Sequence, residues 1–239
     1  MKLAADLHVH TVSSGHAYST LEEYVARAKK IGLEMLAITD HGPSMPGAPH
    51  YYHFSNMRMI PREIDGIKIL RGCEANIINA DGDIDLQKNE TKIMDILMVG
   101  MHIRCGYEDQ GEEKNTDVMG KALKKYPRIN VIAHPGSPTH PLDPERIVAI
   151  AKENKVVLEI NNSSQFSRPG SYERCIRIAK EVKRQDWMVV LGTDSHISPM
   201  LGDFRSALKL IEEAELSEEH VVNTSVEKID KYLLKRNAN

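Results

Sequence analysis

Two kinds of hydrophobic pattern alternate along the chain. Short apolar runs bounded by glycine, proline or charged residues read as buried strands, and longer segments with apolar residues at every third or fourth position read as amphipathic helices. The first strand is expected over residues 2–9. Ser19-Thr20-Leu21-Glu22 then reads as a capping box ahead of Leu21, Tyr24, Val25 and Ala28, with Gly32 placed to end that helix. Six further strands are expected over residues 33–39, 67–74, 95–102, 130–134, 156–161 and 187–193. Helices are expected over residues 115–126, from the cap Asp143-Pro144-Glu145 to Asn154, over 172–184, and around 204–214 and 226–234. Residues 42–61, with His50, Tyr51, Tyr52, Phe54 and several prolines, read as a long loop with one helical turn near 56–60. Asp81-Gly82-Asp83 suggests a hairpin excursion within 75–86.

Strands that are each followed by a crossover form a parallel sheet, wound flat with helices on both faces or curled into a barrel. Both arrangements put function at the carboxyl ends of the strands. No repeat, low-complexity tract or Pro/Gly/Ser-rich linker divides the chain, so one α/β domain is expected over residues 1–239.

Composition narrows the function classes. Lys and Arg number 31 against 34 Asp and Glu, a formal net charge of −3, so no global positive field exists to hold a long nucleic acid or an anionic membrane. Asp6 and His8 interrupt the N-terminus before a signal-peptide core could form, and no apolar run approaches the ~18 residues of a membrane span. A soluble, cytoplasmic protein is expected, with the oligomeric state left open. Cys73, Cys105 and Cys175 are scattered and odd in number, which suggests neither a disulfide framework nor a thiolate zinc site. Cys73 is expected to be buried in a strand.

Metal-ligand residue types concentrate at the strand ends: His8 and His10 after the first, Asp40 and His41 after the second, Glu74 after the third. His102, His134, Asp194 and His196 follow at later ends. A lone histidine there is ordinarily a solvated loop residue. His8-x-His10 differs, because alternate strand residues point to one side and both imidazoles face one space. Ligands arriving from so many strand ends need those ends to surround one centre, which favours the barrel. A donor set rich in imidazole with a few carboxylates and no thiolate suits Zn, Mn or Fe better than Mg or Ca. The candidates are too many for one ion that keeps a position open, and imply two or three.

The series His8-x-His10, His16, Thr39-Asp40-His41, Gly72-Cys73-Glu74, His102, Ala133-His134-Pro135 and Thr193-Asp194-Ser195-His196 resembles the PHP (polymerase and histidinol phosphatase) family. The order is the family's, all nine ligand positions are filled, and the compact size is similar to the stand-alone YcdX-type phosphatases. The resemblance implies a distorted (β/α)7 barrel, TIM-barrel-like, with three divalent ions at the carboxyl-end face, Zn first and Mn or Fe as alternatives. It implies that His8, His10, Glu74 and Asp194 hold one ion, that Glu74, His102 and His134 hold a second, and that His16, His41 and His196 hold the third. His16 enters through the resemblance alone.

Closely spaced metals can lower the pKa of a bridging water toward ~7 while holding phosphate oxygens. Phosphomonoester hydrolysis of a small phosphorylated substrate by a metal-bridging hydroxide is therefore the expected activity. Asp40, beside His41, is a candidate to orient an imidazole by accepting its free N–H, Arg104 and Arg168 to grip phosphate, and His140 to protonate the leaving group. His50, His53 and His220 are expected at the surface, and residues 42–61 are the expected seat of selectivity. Three rivals remain: a phosphodiesterase or exonuclease acting on short nucleic acid, a catalytically silent metal-stabilised binding domain, and an amidohydrolase-type enzyme. That last class would leave His16, His41 and His196 unexplained.

Overall fold

The computed structural model describes residues 1–234. Among them the strands are β1 Ala5–Asp6, β2 Met35–Ile38, β3 Glu63–Ile64, β4 Ile67–Asn76, β5 Ile96–Gly100, β6 Val131–Ile132, β7 Val157–Asn161 and β8 Val189–Gly192. The helices are α1 Leu21–Ile31, α2 Tyr51–Asn56, α3 Lys88–Thr91, α4 Glu112–Lys125, α5 Pro144–Glu153, α6 Ser164–Ser167, α7 Ser171–Arg184, α8 Arg205–Glu213 and α9 Val226–Ile229. The sheet order is β1-β2-β4-β5-β6-β7-β8 with every neighbouring pair parallel, which curls into a nearly closed barrel of seven strands. No described helix is long and apolar enough to cross a membrane.

The strand β3 was not expected. It pairs antiparallel with β4 around Asp65-Gly66, both at positive φ (51° and 82°), a two-residue turn whose Asp-Gly signal stands in the sequence. The 81–83 excursion exists as a single antiparallel bridge, Ile77 to Ile84. Segment 42–61 carries more helix than expected, α2 followed by a 3-10 turn at Met57–Met59. The capping box of α1 sits one residue further on, with Thr20 as cap and Glu23 closing it, while Gly32 ends the helix at φ 78° as expected. Several strands are shorter than their apolar runs because their last residues turn inward: β6 stops at Ile132, two residues before His134 at φ 29°.

Hydrophobic burial falls into two clusters. The larger packs the helices against the outside of the sheet. The smaller fills the barrel with one or two residues per strand, including Ala5, Met35, Leu70, Met98, Val131, Val157 and Val190, and is closed from below by Val222, Ile229 and Leu233. Alternate residues share a face, so the inward series on three strands continue upward from this apolar plug as Leu70-Gly72-Glu74, Met98-Gly100-His102 and Val190-Gly192-Asp194. Each series runs apolar, glycine, ligand. A Cβ on Gly192 would lie 2.0 Å from a Glu159 oxygen and 2.8 Å from His8 Cβ, and one on Gly100 would lie 2.7 Å from the His102 ring. Glycine in the middle layer makes room for the polar groups above.

The barrel closes between β8 and β1 without a regular ladder. At the upper end a parallel bridge joins Val9 to Ser195, with His10 N donating to Ser195 O at 2.9 Å. Lower down the buried Asn223 side chain takes the place of a strand: Nδ2 donates to Ala5 O (2.9 Å) and Leu191 O (2.8 Å), and Oδ1 accepts from Leu191 N (3.0 Å). Replacing it strands buried backbone groups on both strands. Asn223→Ala is expected to cost about 2–4 kcal/mol, read as a fall in Tm of roughly 5–15 °C. An unchanged Tm would show that the seam holds without it.

Candidate metal centre

The barrel brings all nine expected ligands to the carboxyl ends of its strands, with Glu74, at the upper end of β4, in the middle. Its Oε2 lies 2.8 Å from His41 Nδ1, 3.4 Å from His8 Nε2 and 3.5 Å from His10 Nε2. Its Oε1 lies 2.7 Å from His134 Nε2 and 3.3 Å from His102 Nε2. Asp194 Oδ1 is 3.2 Å from His10 Nε2, and the His16 ring stands 5.0 Å from that of His41 and 5.1 Å from that of His196. Ligand atoms within 4.8 Å of one another form three sets: His8 with His10 and Asp194, His41 with Glu74 and His102, and His10 with His41 and His196. His10 and His41 thus each belong to two sets.

The imidazoles are oriented from behind. His8 Nδ1 donates to Glu159 Oε1 at 2.6 Å, and His196 Nδ1 to the Asp194 carbonyl at 2.9 Å. His102 Nδ1 donates to Asn76 Oδ1 at 2.7 Å; the Asn76 amide is fixed that way round because its Nδ2 donates to Gly42 O and Asp85 Oδ2. Ser14 Oγ donates to Asp40 Oδ1 (2.7 Å), which leaves it to accept from His10 Nδ1 (3.3 Å). With Nδ1 engaged from behind in all four rings, Nε2 is the nitrogen each turns toward the centre. Two such nitrogens, those of His8 and His10, face each other at 3.0 Å. Glu74 Oε2, Asp194 Oδ1 and His41 Nδ1 are buried with no hydrogen-bond partner, although His41 Nδ1 and Glu74 Oε2 are only 2.8 Å apart. Close approach without hydrogen-bond alignment is the arrangement of donors aimed at a common cation, and this donor set fits borderline divalent ions.

Charge agrees with geometry. Burial works against the carboxylates, yet the surrounding imidazoles hold Glu74 well below the usual carboxylate range, and His8 with Arg168 does the same for Asp194. Burial pushes His10 down to about 3 and His134 down to about 4, keeping both neutral as ligands. For His8 burial is outweighed by Glu159, Glu74 and Asp194, which favour a positive charge at that ring, whether proton or metal. Asp6, fully buried below the site, is pushed up to about 6 by desolvation although Thr193, Gly202 and His8 all donate to it.

The other expected site residues divide. Arg168 lines the cavity beside the ligands, its two terminal nitrogens 3.1 and 3.2 Å from Asp194 Oδ2. The Asp40 carboxylate accepts from Thr11 N and Oγ1, Ser14 Oγ and His53 Nε2; the imidazoles it meets are therefore His53 directly and His10 through Ser14, not its neighbour His41. His53, expected at the surface, is thereby part of the network, whereas His50 and His220 cap short helical turns. Arg104 is exposed, at φ 64°, and lies off the cavity. His140 is buried and does not line the cavity, its Nε2 on the Tyr107 carbonyl at 3.2 Å. Of segment 42–61 only Met45 lines the cavity; Phe54 is core.

Glu159 was missed. Besides His8 it accepts from the backbone N of His134 (2.8 Å) and from Asn161 Nδ2 (3.2 Å), tying two ligands to β7. The signal was present: a glutamate inside the run Val156-Val157-Leu158-Glu159-Ile160 is a charge that a buried strand keeps only with partners. Asn76 and Asp85 carried no comparable signal, because His102, which Asn76 holds and Asp85 reaches only through Asn76, lies in another strand-helix unit.

Known proteins resemble this chain in sequence and in fold. The profile of the PHP domain matches residues 6–163. A "Probable phosphatase" of Acetivibrio thermocellus is 45% identical over 236 residues, covering 99% of this chain and 97% of that protein. One from Shewanella sediminis is 44% identical over 237 residues, covering 99% and 96%. Among solved structures, the histidinol phosphate phosphatase of Lactococcus lactis, complexed with zinc, L-histidinol and phosphate, superposes with a TM-score of 0.61 at 18% identity, covering 91% of this chain and 95% of that one. A probable 2-pyrone-4,6-dicarboxylic acid hydrolase of Acinetobacter baumannii superposes with a TM-score of 0.57 at 12% identity, covering 98% and 99%. These two likenesses concern the fold. The profile match and the full-length identity to its relatives place the chain in the PHP domain family.

Proposed function

We propose that this protein hydrolyses phosphomonoesters of small molecules at a centre of three divalent ions. That it acts on phosphoester bonds follows from its family and its full-length phosphatase relatives. The finer reading is carried by one observation: buried lone-pair donors on Glu74, Asp194 and His41 that have no hydrogen-bond partner, among imidazoles whose protons are held on the far side. His8, His10, Glu74 and Asp194 would hold one ion, Glu74, His102 and His134 a second, and His16, His41 and His196 the third. Glu74 is suited to serve two, since its oxygens face different histidines. Zinc is the ion proposed first, being borderline in softness like the donor set, with manganese or iron as alternatives. Bound ions supply Lewis acidity, activating water and neutralising charge on phosphoryl oxygens.

The chain's own groups do the rest. Arg168 is held against Asp194 at the cavity wall with its side chain 18% exposed, a position from which its guanidinium could donate to a phosphoryl oxygen. Its guanidinium also offsets negative charge that the substrate brings beside Glu74 and Asp194. Glu159, Asn76 and the pair Asp40–Ser14 keep the imidazoles from rotating as the ligand shell changes. The cavity above these residues, about 420 Å³, has room for a phosphoryl group with a small organic moiety.

The reading is tested by comparing rates of the metal-loaded protein on a phosphomonoester, a phosphodiester and single-stranded DNA. Turnover of the monoester, lost on metal removal and restored on reloading, is expected; cleavage of DNA alone would overturn it. A second expectation concerns positioning. Glu159→Gln keeps the shape but withdraws the charge behind His8, and should weaken metal affinity about 10–100-fold with the circular dichroism spectrum retained. Unchanged metal affinity by competitive chelation would remove Glu159 from the centre.

A further inference from the structure

The floor of the 420 Å³ cavity is charged, but its rim is not: Phe166, Met45 and Met200 line it together with Arg168, Asp194 and the histidines. These three apolar side chains come from three separate segments: α6 after β7, the loop after β2 and the 3-10 turn after β8. Phe166 stands in the serine-rich stretch Ser163-Ser164-Gln165-Phe166-Ser167, where no apolar periodicity calls for it. It is 64% exposed, so the core gains little from it. A single exposed phenylalanine needs no explanation; one held at the mouth of a ligand cavity does.

Its support is rigid. Ser163 Oγ donates to Thr193 O (2.6 Å), Ser164 Oγ to Asn161 Oδ1 (3.2 Å), Ser167 Oγ to Ser163 O (2.8 Å) and Ser171 Oγ to Ser164 O (2.8 Å). The same turn carries Arg168 inward to Asp194 and Phe166 outward, two residues apart. A substrate whose phosphoryl group meets Arg168 therefore directs the esterified group toward Phe166. The serine hydroxyls that also line the cavity, Ser163 and Ser167, already donate to backbone carbonyls and have no donor left for a sugar or polyol. An exposed aromatic ring and two methionines lining one cavity instead favour a flat, polarizable group.

We propose that Phe166, with Met45 and Met200, forms an aryl subsite, so that the preferred substrates are phosphomonoesters of single-ring aromatic or heteroaromatic leaving groups. The proposal rests on the phosphomonoesterase reading for its substrate, but the subsite can be tested without turnover. The metal-loaded protein is titrated calorimetrically with phenylphosphonate and with methylphosphonate, neither of which is hydrolysed. Wild type is expected to favour the phenyl compound by about 5–10-fold. Phe166→Ala should bring the two affinities within about twofold of each other, and Phe166→Trp should keep the preference. The ratio of kcat/KM for phenyl phosphate to that for glycerol 3-phosphate should fall in parallel, at constant metal content. Equal affinities in wild type, or equal losses for both phosphonates in Phe166→Ala, would overturn the subsite. Selective phosphonate binding without turnover of either ester would support the subsite and overturn the phosphomonoesterase reading, which separates the two.

Discussion

Buried negative charge is the constraint on which this structure is organised. Asp6, Asp40, Glu74, Glu159 and Asp194 are all nearly or wholly inaccessible and crowd the upper end of one barrel. Among the described residues the one lysine or arginine paired with any of them is Arg168, on Asp194. The remaining compensation comes from hydrogen-bond donors and from imidazoles, most of whose nitrogen lone pairs add no positive charge. Ionised carboxylates at this depth persist only when paired or bound to a metal, so the arrangement is suited by its electrostatics to hold a cation. The carboxylates have separate tasks. Glu74 and Asp194 face the centre with free oxygens, while Glu159 directly, Asp40 through Ser14 and Asp85 through Asn76 set the rings behind it.

The layered interior shows how a barrel accommodates such a centre. Apolar side chains fill the lower half, and a glycine on β5 and another on β8 then open the space that the histidines and Glu159 occupy. His134 and Asp194 leave their strands at positive φ, a costly conformation for residues with side chains. The Glu159 carboxylate on His134 N is one of the contacts that hold it. Stability and function are therefore coupled through the same strand ends: the plug and Asn223 close the barrel below, and the polar network fixes its upper rim.

Much of this was legible in the chain. The alternation of apolar runs and amphipathic segments gave the strand-helix order, and ligand-type residues at successive strand ends gave the centre, because strand ends and ligands are both local patterns. What the sequence did not show depends on contacts between distant segments. Asn223 stands in for a strand some 30 residues from Leu191 and more than 200 from Ala5. Asp40 lies next to His41 yet serves His10, and His53 reaches inward from a segment that reads as surface loop. Arg104 and His140 are polar residues of the expected kind in strand-end loops, but backbone direction carries one to solvent and the other to the Tyr107 carbonyl. Glu159 could have been found, since a charge in a buried strand is itself a signal.

The central claim is that the polar upper end of the barrel is built around several divalent cations. It is tested most directly by elemental mass spectrometry of metal per chain, on protein purified without added metal and again after reconstitution. About three equivalents of Zn, Mn or Fe in total are expected. A value that stays near one after reconstitution would contradict the account, leaving the donors around His16, His41 and His196 without an ion to bind.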